Sequence, residues 1–262
     1  MGRRIAVLIE YDGTAYSGSQ YQENGPTIQA ALEGAVNRLT GETVRAAFAG
    51  RTDAGVHAMG QVAAFDTQAR LDVGEFVRGL NHFLSHDIAV LAAANVEARF
   101  DPRRDARGRL YRYRIEARRV RSPLWRNRAW VVGQPLDVAA MQRAAGRLEG
   151  THDFAAFAPP FDGRTERTLR RCAVAAAGCP DGQTVQVEME AQGFLPHQVR
   201  RTVGPLVEVG RGRTSEDGLV SLLNDAKPSS AGPAAPACGL YLVSVAYDGL
   251  AFGAEEGNGR DG

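Results

Sequence analysis

Thr27–Gly41 reads TIQAALEGAVNRLTG, and its apolar residues Ile28, Ala31, Leu32, Ala35, Val36 and Leu39 recur at the spacing of one helical face. Thr27 supplies an N-cap oxygen and Gly41 a stop. Upstream, Arg4–Tyr11 (RIAVLIEY) is a β-rich run closed by Asp12 and Gly13. Downstream come strands at Val44–Phe48 and Gln61–Phe65. Asp72 and Glu75 then form a capping box for a helix with Val73, Phe76, Val77, Leu80, Phe83 and Leu84 on one face, and Ile88–Val96 returns as a strand. The order is β-α-β-β-α-β.

The rest of the chain repeats that order. Arg109–Ala117 is a strand, and Asp137 caps a helix whose inward residues are Val138, Met141, Ala145 and Leu148. This helix ends RLEG (Arg147–Gly150), echoing RLTG (Arg38–Gly41). Strands at Thr168–Ala175 and Thr184–Ala191, a helix at Pro196–Val209 and a strand at Leu240–Tyr247 complete the repeat. Pro196 suits a first helical turn, whereas Pro205 should kink the helix. A short helix at Ser215–Asn224, opened by Thr214 with Asp217, precedes the last strand. The fold expected is α+β, with two ferredoxin-like (βαββαβ) halves at residues 1–107 and 108–247. Their antiparallel sheets would join across a pseudo-two-fold, with a catalytic cleft between them. The Gly-rich, acidic tail 248–262 is expected to be disordered.

The 262 residues carry a net charge of only +1, are 44% hydrophobic and contain no apolar run long enough to span a bilayer. With no secretory signal at the N-terminus, the cytoplasm is expected. Cys172, Cys179 and Cys238 are odd in number and form no CxxC pair, which points to buried free thiols rather than disulfides or zinc. Charge distribution is more telling than the total. Arg99–Arg128 holds twelve arginines against Asp101, Asp105 and Glu116, a local excess of nine positive charges that suits a nucleic-acid backbone. A solvated basic face is the plainer alternative.

Ala49–Val62, AGRTDAGVHAMGQV, lies between two of the first-half strands. Gly50, Gly55 and Gly60 let the backbone turn around Arg51, Thr52 and Asp53, so Asp53 either closes a turn or is an ionised carboxylate in a pocket. Rival chemistries fail. GRTDAG has Val56 and His57 where a phosphate loop needs Lys and Ser or Thr, His82 and His86 lack a neighbouring Glu for a zinc motif, and no GxSxG elbow occurs. Acid, arginine and tyrosine chemistry without metal or cofactor remains.

GRTDAGVHAMGQV closely resembles the signature of the A-type tRNA pseudouridine synthases, the TruA family. YDGTAYSG, TIQAALE, LNHFLSHDIAV, ARFDPRRDARGRLYRYRI, HDFAAF, GFLPHQVRRTVG, LVEVG and CGLYLVSVAY resemble further family blocks in family order, from about Arg4 to Tyr247. The resemblance implies that Asp53 is the nucleophile and that Arg51 is a catalytic and substrate-binding arginine beside the flipped base. It also implies that Tyr111 contacts the uracil and takes the proton from C5, and that Arg200 pairs with the aspartate. The substrate implied is uridine at positions 38, 39 and 40 of the tRNA anticodon stem-loop, and the assembly a homodimer without metal. If the site were dry, removing either member of the Asp53–Arg200 pair would cost roughly 3 to 5 kcal/mol. Ser19 stands where the family usually has Trp, Ser85 where it has Pro, Pro196 and Gln198 where it has His and Met, and Arg201 where it has Asn. Two alternatives stay open on sequence: a non-catalytic RNA-binding or RNA-folding protein on the same fold, and a metal-dependent hydrolase using Asp53 and histidines.

Overall fold

The unbroken apolar run Ile5–Ile9 builds β1 (Arg3–Tyr11), followed by α1 (Ile28–Thr40), β2 (Ala47–Phe48), β3 (His57–Thr67), α2 (Val73–Phe83) and β4 (Ile88–Val96). Then come β5 (Gly108–Arg118), β6 (Trp130–Val132), α3 (Val138–Gly146), β7 (Gly150–Asp153), β8 (Glu166–Cys179) and β9 (Gly182–Ala191). α4 (Gln198–Gly210), α5 (Glu216–Ser221) and β10 (Leu240–Ala246) complete the chain. This computed structural model describes residues 2–179, 182–225, 227–250 and 252. Among them, ten strands form one mixed sheet in the order β4-β1-β3-β10-β5-β9-β8-β7, with β2 beside β3 and β6 beside β5. No described helix is long and apolar enough to cross a membrane.

The caps follow from the sequence. Thr27 Oγ1 accepts from Ala30 N (3.2 Å), and Gly41 closes α1 in the left-handed region at φ 76°. Asp72 and Glu75 make both halves of a capping box at 2.7 Å. Asp137 caps α3 by accepting from Ala140 N. Such caps each contribute about 1 kcal/mol. Burial contributes more. Ile28, Leu32 and Val36 of α1 and Phe76 and Leu80 of α2 are buried in one cluster with Ile5, Val7, Ile9 and Phe65 of the sheet. At roughly 1.5 to 3 kcal/mol per large apolar side chain, that stripe outweighs the caps.

A parallel pairing joins the two parts of the sheet, with His57 of β3 opposite Tyr241 of β10 and Ala58 opposite Leu242. A Cβ at Gly60 would fall 2.5 Å from Val243 O, so only glycine lets β3 lie this close to β10. His57 pins the same seam. Its Nε2 lies 2.9 Å from Asn127 O and 3.2 Å from Cys238 O, and its ring stacks on Tyr241.

Several expectations are corrected. The long pairings are antiparallel, as expected, but the seam β3–β10, where the last strand inserts between β3 and β5, is parallel, and the short β6 adds a parallel pairing to β5. Only Ala47 and Phe48 of the expected Val44–Phe48 strand pair with a neighbour, while β3 begins at His57 rather than Gln61. RLEG does not end α3, which stops at Gly146, and Leu148 instead buries its side chain in the following turn. α4 begins at Gln198, after a left-handed residue at His197, and runs unbroken through Pro205. α5 is capped by Ser215, whose hydroxyl accepts from Gly218 N, and not by Thr214. Cys172 and Cys238 are free thiols, the first buried and the second half-buried; the side chain of Cys179 and most of the tail lie outside the described residues.

Burial of tyrosines gives a stability prediction. Burial pushes the Tyr11 hydroxyl up from 10.0 to about 12, against the opposing hydrogen bonds of Thr52 and Gln61, and pushes Tyr111 and Tyr113 up further. The stability tied to these protonated phenols is whole below pH 10, where the unfolded chain also keeps its protons. It is lost as pH rises from 10 through the folded-state values, at about 1.4 kcal/mol per pH unit per tyrosine. Urea midpoints should therefore be level near pH 9 and fall steeply between pH 10 and 12. A level profile across that window would contradict the burial of these hydroxyls as neutral groups.

Candidate active site

The Asp53 loop, from Ala49 to Val56, is fixed by its neighbours before its carboxylate meets anything. Ala49 N donates to Val62 O, and the Gln61 amide brackets Gly50, accepting from its N–H and donating to its carbonyl. Thr52 N donates to Ser19 Oγ (2.8 Å), and Thr52 Oγ1 hydrogen-bonds the Tyr11 hydroxyl (2.8 Å). Ser19, the departure from the expected tryptophan, is wholly buried and acts as a cap for this loop. Gly18 sits at φ 104° where a Cβ would fall 2.7 Å from Thr52 O, so the first loop can press this closely only as glycine.

α4 brings the partners of the carboxylate. Asp53 Oδ2 accepts from Arg200 Nη1 at 2.7 Å and lies 2.9 Å from His197 Nδ1. Arg200 is itself oriented, because its Nε donates to Ala235 O (2.7 Å) and its own carbonyl accepts from Ala235 N. The Asp53 side chain is 34% exposed and that of Arg200 16%, so the pair is half-wet rather than dry. The roughly 3 to 5 kcal/mol expected for breaking a dry pair is therefore too large, and about 1 kcal/mol is appropriate.

Tyr111 projects from β5 into the same cavity, with its ring edge-on to Phe194 (5.3 Å between centroids). Burial is the main reason its hydroxyl titrates above the ordinary 10.0; Tyr11 and Asp53 push the same way and Arg109 opposes them. The phenol is therefore neutral at working pH. Arg51 is exposed on the cavity wall. All four residues singled out from sequence thus line one cavity of about 710 Å³, within the range of small-molecule sites.

Three further residues were not legible in this role. Arg109, counted above among surface cations, is buried and clamps three segments: Nε and Nη2 donate to Ala49 O, Nη1 to Gln192 O and Nη2 to Arg103 O. It holds the strand entering the Asp53 loop against the far wall. Arg167, from β8, lines the cavity although no motif marks it. His197 had a weak signal only, three residues before Arg200 and hence on the same helical face.

The basic stretch is also less free than its count implied. Arg99 pairs with Glu97, Arg107 with Asp248, Arg112 with Glu188, Arg114 with Glu116 and Arg128 with Asp12. Three of its members, Arg103, Arg104 and Arg109, line the cavity together with Arg51, Arg167 and Arg200, and the only carboxylate among the lining residues is Asp53. Such a field draws in polyanions.

A profile described as tRNA pseudouridine synthase matches residues 7–103 and 144–248. The chain is 46% identical over 244 residues to tRNA pseudouridine synthase A of Myxococcus xanthus, covering 93% of this chain and 92% of that one. It is 47% identical over 246 residues to the protein of that name from Pelobacter propionicus, covering 94% and 100% respectively. A third, from Roseiflexus castenholzii, is 48% identical over 249 residues, covering 94% and 91%. With the profile matching most of its length and relatives of this similarity matching more than nine-tenths of it, the chain belongs to the tRNA pseudouridine synthase family.

Proposed function

We propose that this protein isomerises uridine to pseudouridine at positions 38, 39 and 40 of the tRNA anticodon stem-loop, with Asp53 as the covalent nucleophile. The observation that carries the reading is the convergence of Asp53, Arg200 and Tyr111, from distant parts of the sequence, on one arginine-rimmed cavity. The reaction breaks the N1–C1′ bond, turns the uracil and forms C5–C1′. C5 loses a proton and N1 gains one, so the conversion is redox-neutral and needs no oxidant or reductant. Asp53 adds to the nucleotide while the base turns, with Arg200 orienting its carboxylate through the 2.7 Å bond from Nη1 to Oδ2. Arg51 sits beside the extruded base. Extrusion costs a few kcal/mol, which contacts between cavity arginines and the RNA backbone offset.

Tyr111 is a neutral phenol in the free protein, and takes the C5 proton only if it passes on its own in the same event. Tyr111→Phe keeps the ring against Phe194 and removes the hydroxyl. It should lower kcat by roughly 100-fold to 10,000-fold, the usual worth of a positioned acid or base, with tRNA affinity little changed. Wild-type turnover in this variant, measured on an anticodon stem-loop transcript, would remove Tyr111 from the proton transfer.

The strand orders β4-β1-β3-β2 and β10-β5-β9-β8 support reading residues 1–107 and 108–247 as two ferredoxin-like halves with the cavity between them. The enzyme acts in the cytoplasm, as a homodimer that presents basic surface from both subunits to one tRNA. Light scattering should give twice the 28.1 kDa of one chain, and a monomer mass at micromolar concentration would refute the dimer. The reading as a whole is tested by incubating purified protein with unmodified tRNA and mapping pseudouridine by mass spectrometry after chemical labelling. Salt-sensitive binding with no pseudouridine at positions 38–40 would leave an RNA-binding protein and no enzyme.

A further inference from the structure

Two donors from one end of α4 converge on a single oxygen of Asp53. Arg200 Nη1 and His197 Nδ1 lie 2.7 and 2.9 Å from Oδ2, while Oδ1 accepts from no described side chain or backbone group. An ionised carboxylate can only accept, so His197 Nδ1 carries the hydrogen. Nε2 has no partner among the described residues.

The backbone is shaped for this contact. His197 stands at φ 57°, ψ 3°, one of two non-glycine residues with positive φ among those described, and its side chain makes no capping bond to the helix it precedes. Left-handed backbone is disfavoured for L-residues and persists only where the surroundings hold it. Here the turn is held by Gln198, which is buried and accepts from Leu195 N through Oε1 (2.8 Å). His197 O then accepts the first helical bond, from Arg201 N. With an extended or right-handed residue at 197, the imidazole would leave Asp53.

We infer that His197 is a positioning residue that, with Arg200, locks the Asp53 carboxylate by Oδ2 and leaves Oδ1 as the attacking oxygen. The inference rests on Asp53 being the nucleophile. One donor fixes distance; two donors at different angles on one oxygen also fix rotation about the bond to the carboxyl carbon. Reaction at a defined atom depends on that kind of orientation.

Three variants separate side chain from backbone. His197→Gly suits the left-handed backbone and removes the donor. His197→Asn is also tolerated there and can place its amide nitrogen where Nδ1 lies. Asp53→Ala tests the underlying reading. Single-turnover and steady-state pseudouridine formation on an anticodon stem-loop should show His197→Gly with an unchanged melting temperature, kcat reduced roughly tenfold to a hundredfold, as expected for one hydrogen bond to a charged group, and KM near wild type. His197→Asn should restore kcat to within about threefold. Wild-type kcat in His197→Gly, or a His197→Asn variant as slow as His197→Gly, would overturn the inference while a dead Asp53→Ala left the nucleophile in place. Activity in Asp53→Ala would overturn both.

Discussion

Asp53→Asn is expected to abolish pseudouridine formation, by roughly 10,000-fold or more, as loss of a covalent nucleophile does. The substitution keeps the size of the side chain and a hydrogen-bond acceptor for Arg200, so the loop anchored by Ser19, Tyr11 and Gln61 has no cause to move. What disappears is the negative charge and the attacking oxygen. Arg200 keeps its bond to Ala235 O and is partly solvated, so stability should fall by only about 1 kcal/mol. Affinity for tRNA should hold within about threefold, because the six cavity arginines that attract the backbone remain. Measured together, a lost kcat, an intact Kd and a small shift in Tm distinguish removal of chemistry from removal of structure.

Arg200→Lys is expected to cost roughly 100-fold in kcat although the charge is conserved. The guanidinium uses two nitrogens in two directions, Nη1 toward Asp53 and Nε toward Ala235 O. A lysine ammonium is one point on a flexible stem and cannot make both bonds at once. If it reaches Asp53, the loop carrying Ala235 loses its tie; if it reaches the carbonyl, Asp53 is held by His197 alone. Turnover within threefold of wild type would mean that net charge suffices and that the fork geometry is irrelevant.

Where the sequence was readable, the interactions were local. The Thr27 cap, the Asp72–Glu75 box and the apolar faces of α1 and α2 lie within a few residues of one another, and each forms as its spacing requires. β6 and β7 were missed because three or four residues become a strand only through pairing with β5 or β8, which no local pattern announces. The same limit explains the arginines. Asp12, Glu188 and Asp248 neutralise members of the basic stretch from far along the chain, and Arg109 turned inward because carbonyls from three separate segments await it. Asp53 and Arg51 stood out in a glycine-rich loop, Tyr111 and Arg200 and the roles of all four came from resemblance to a family, and their meeting in one cavity is a property of the fold. His197 and Arg167 escaped notice because histidine beside a helix and arginine on an edge-side strand are common in roles that carry no chemistry.

The central claim is that Asp53 performs the reaction and the surrounding arginines bring the RNA to it. It is tested most directly by tritium release from an anticodon stem-loop labelled at C5 of uridine, with wild type and Asp53→Asn compared at matched RNA occupancy. The account predicts release by wild type at positions 38, 39 and 40, and none above background by Asp53→Asn although it binds the RNA. Release by Asp53→Asn at a rate near wild type would contradict it.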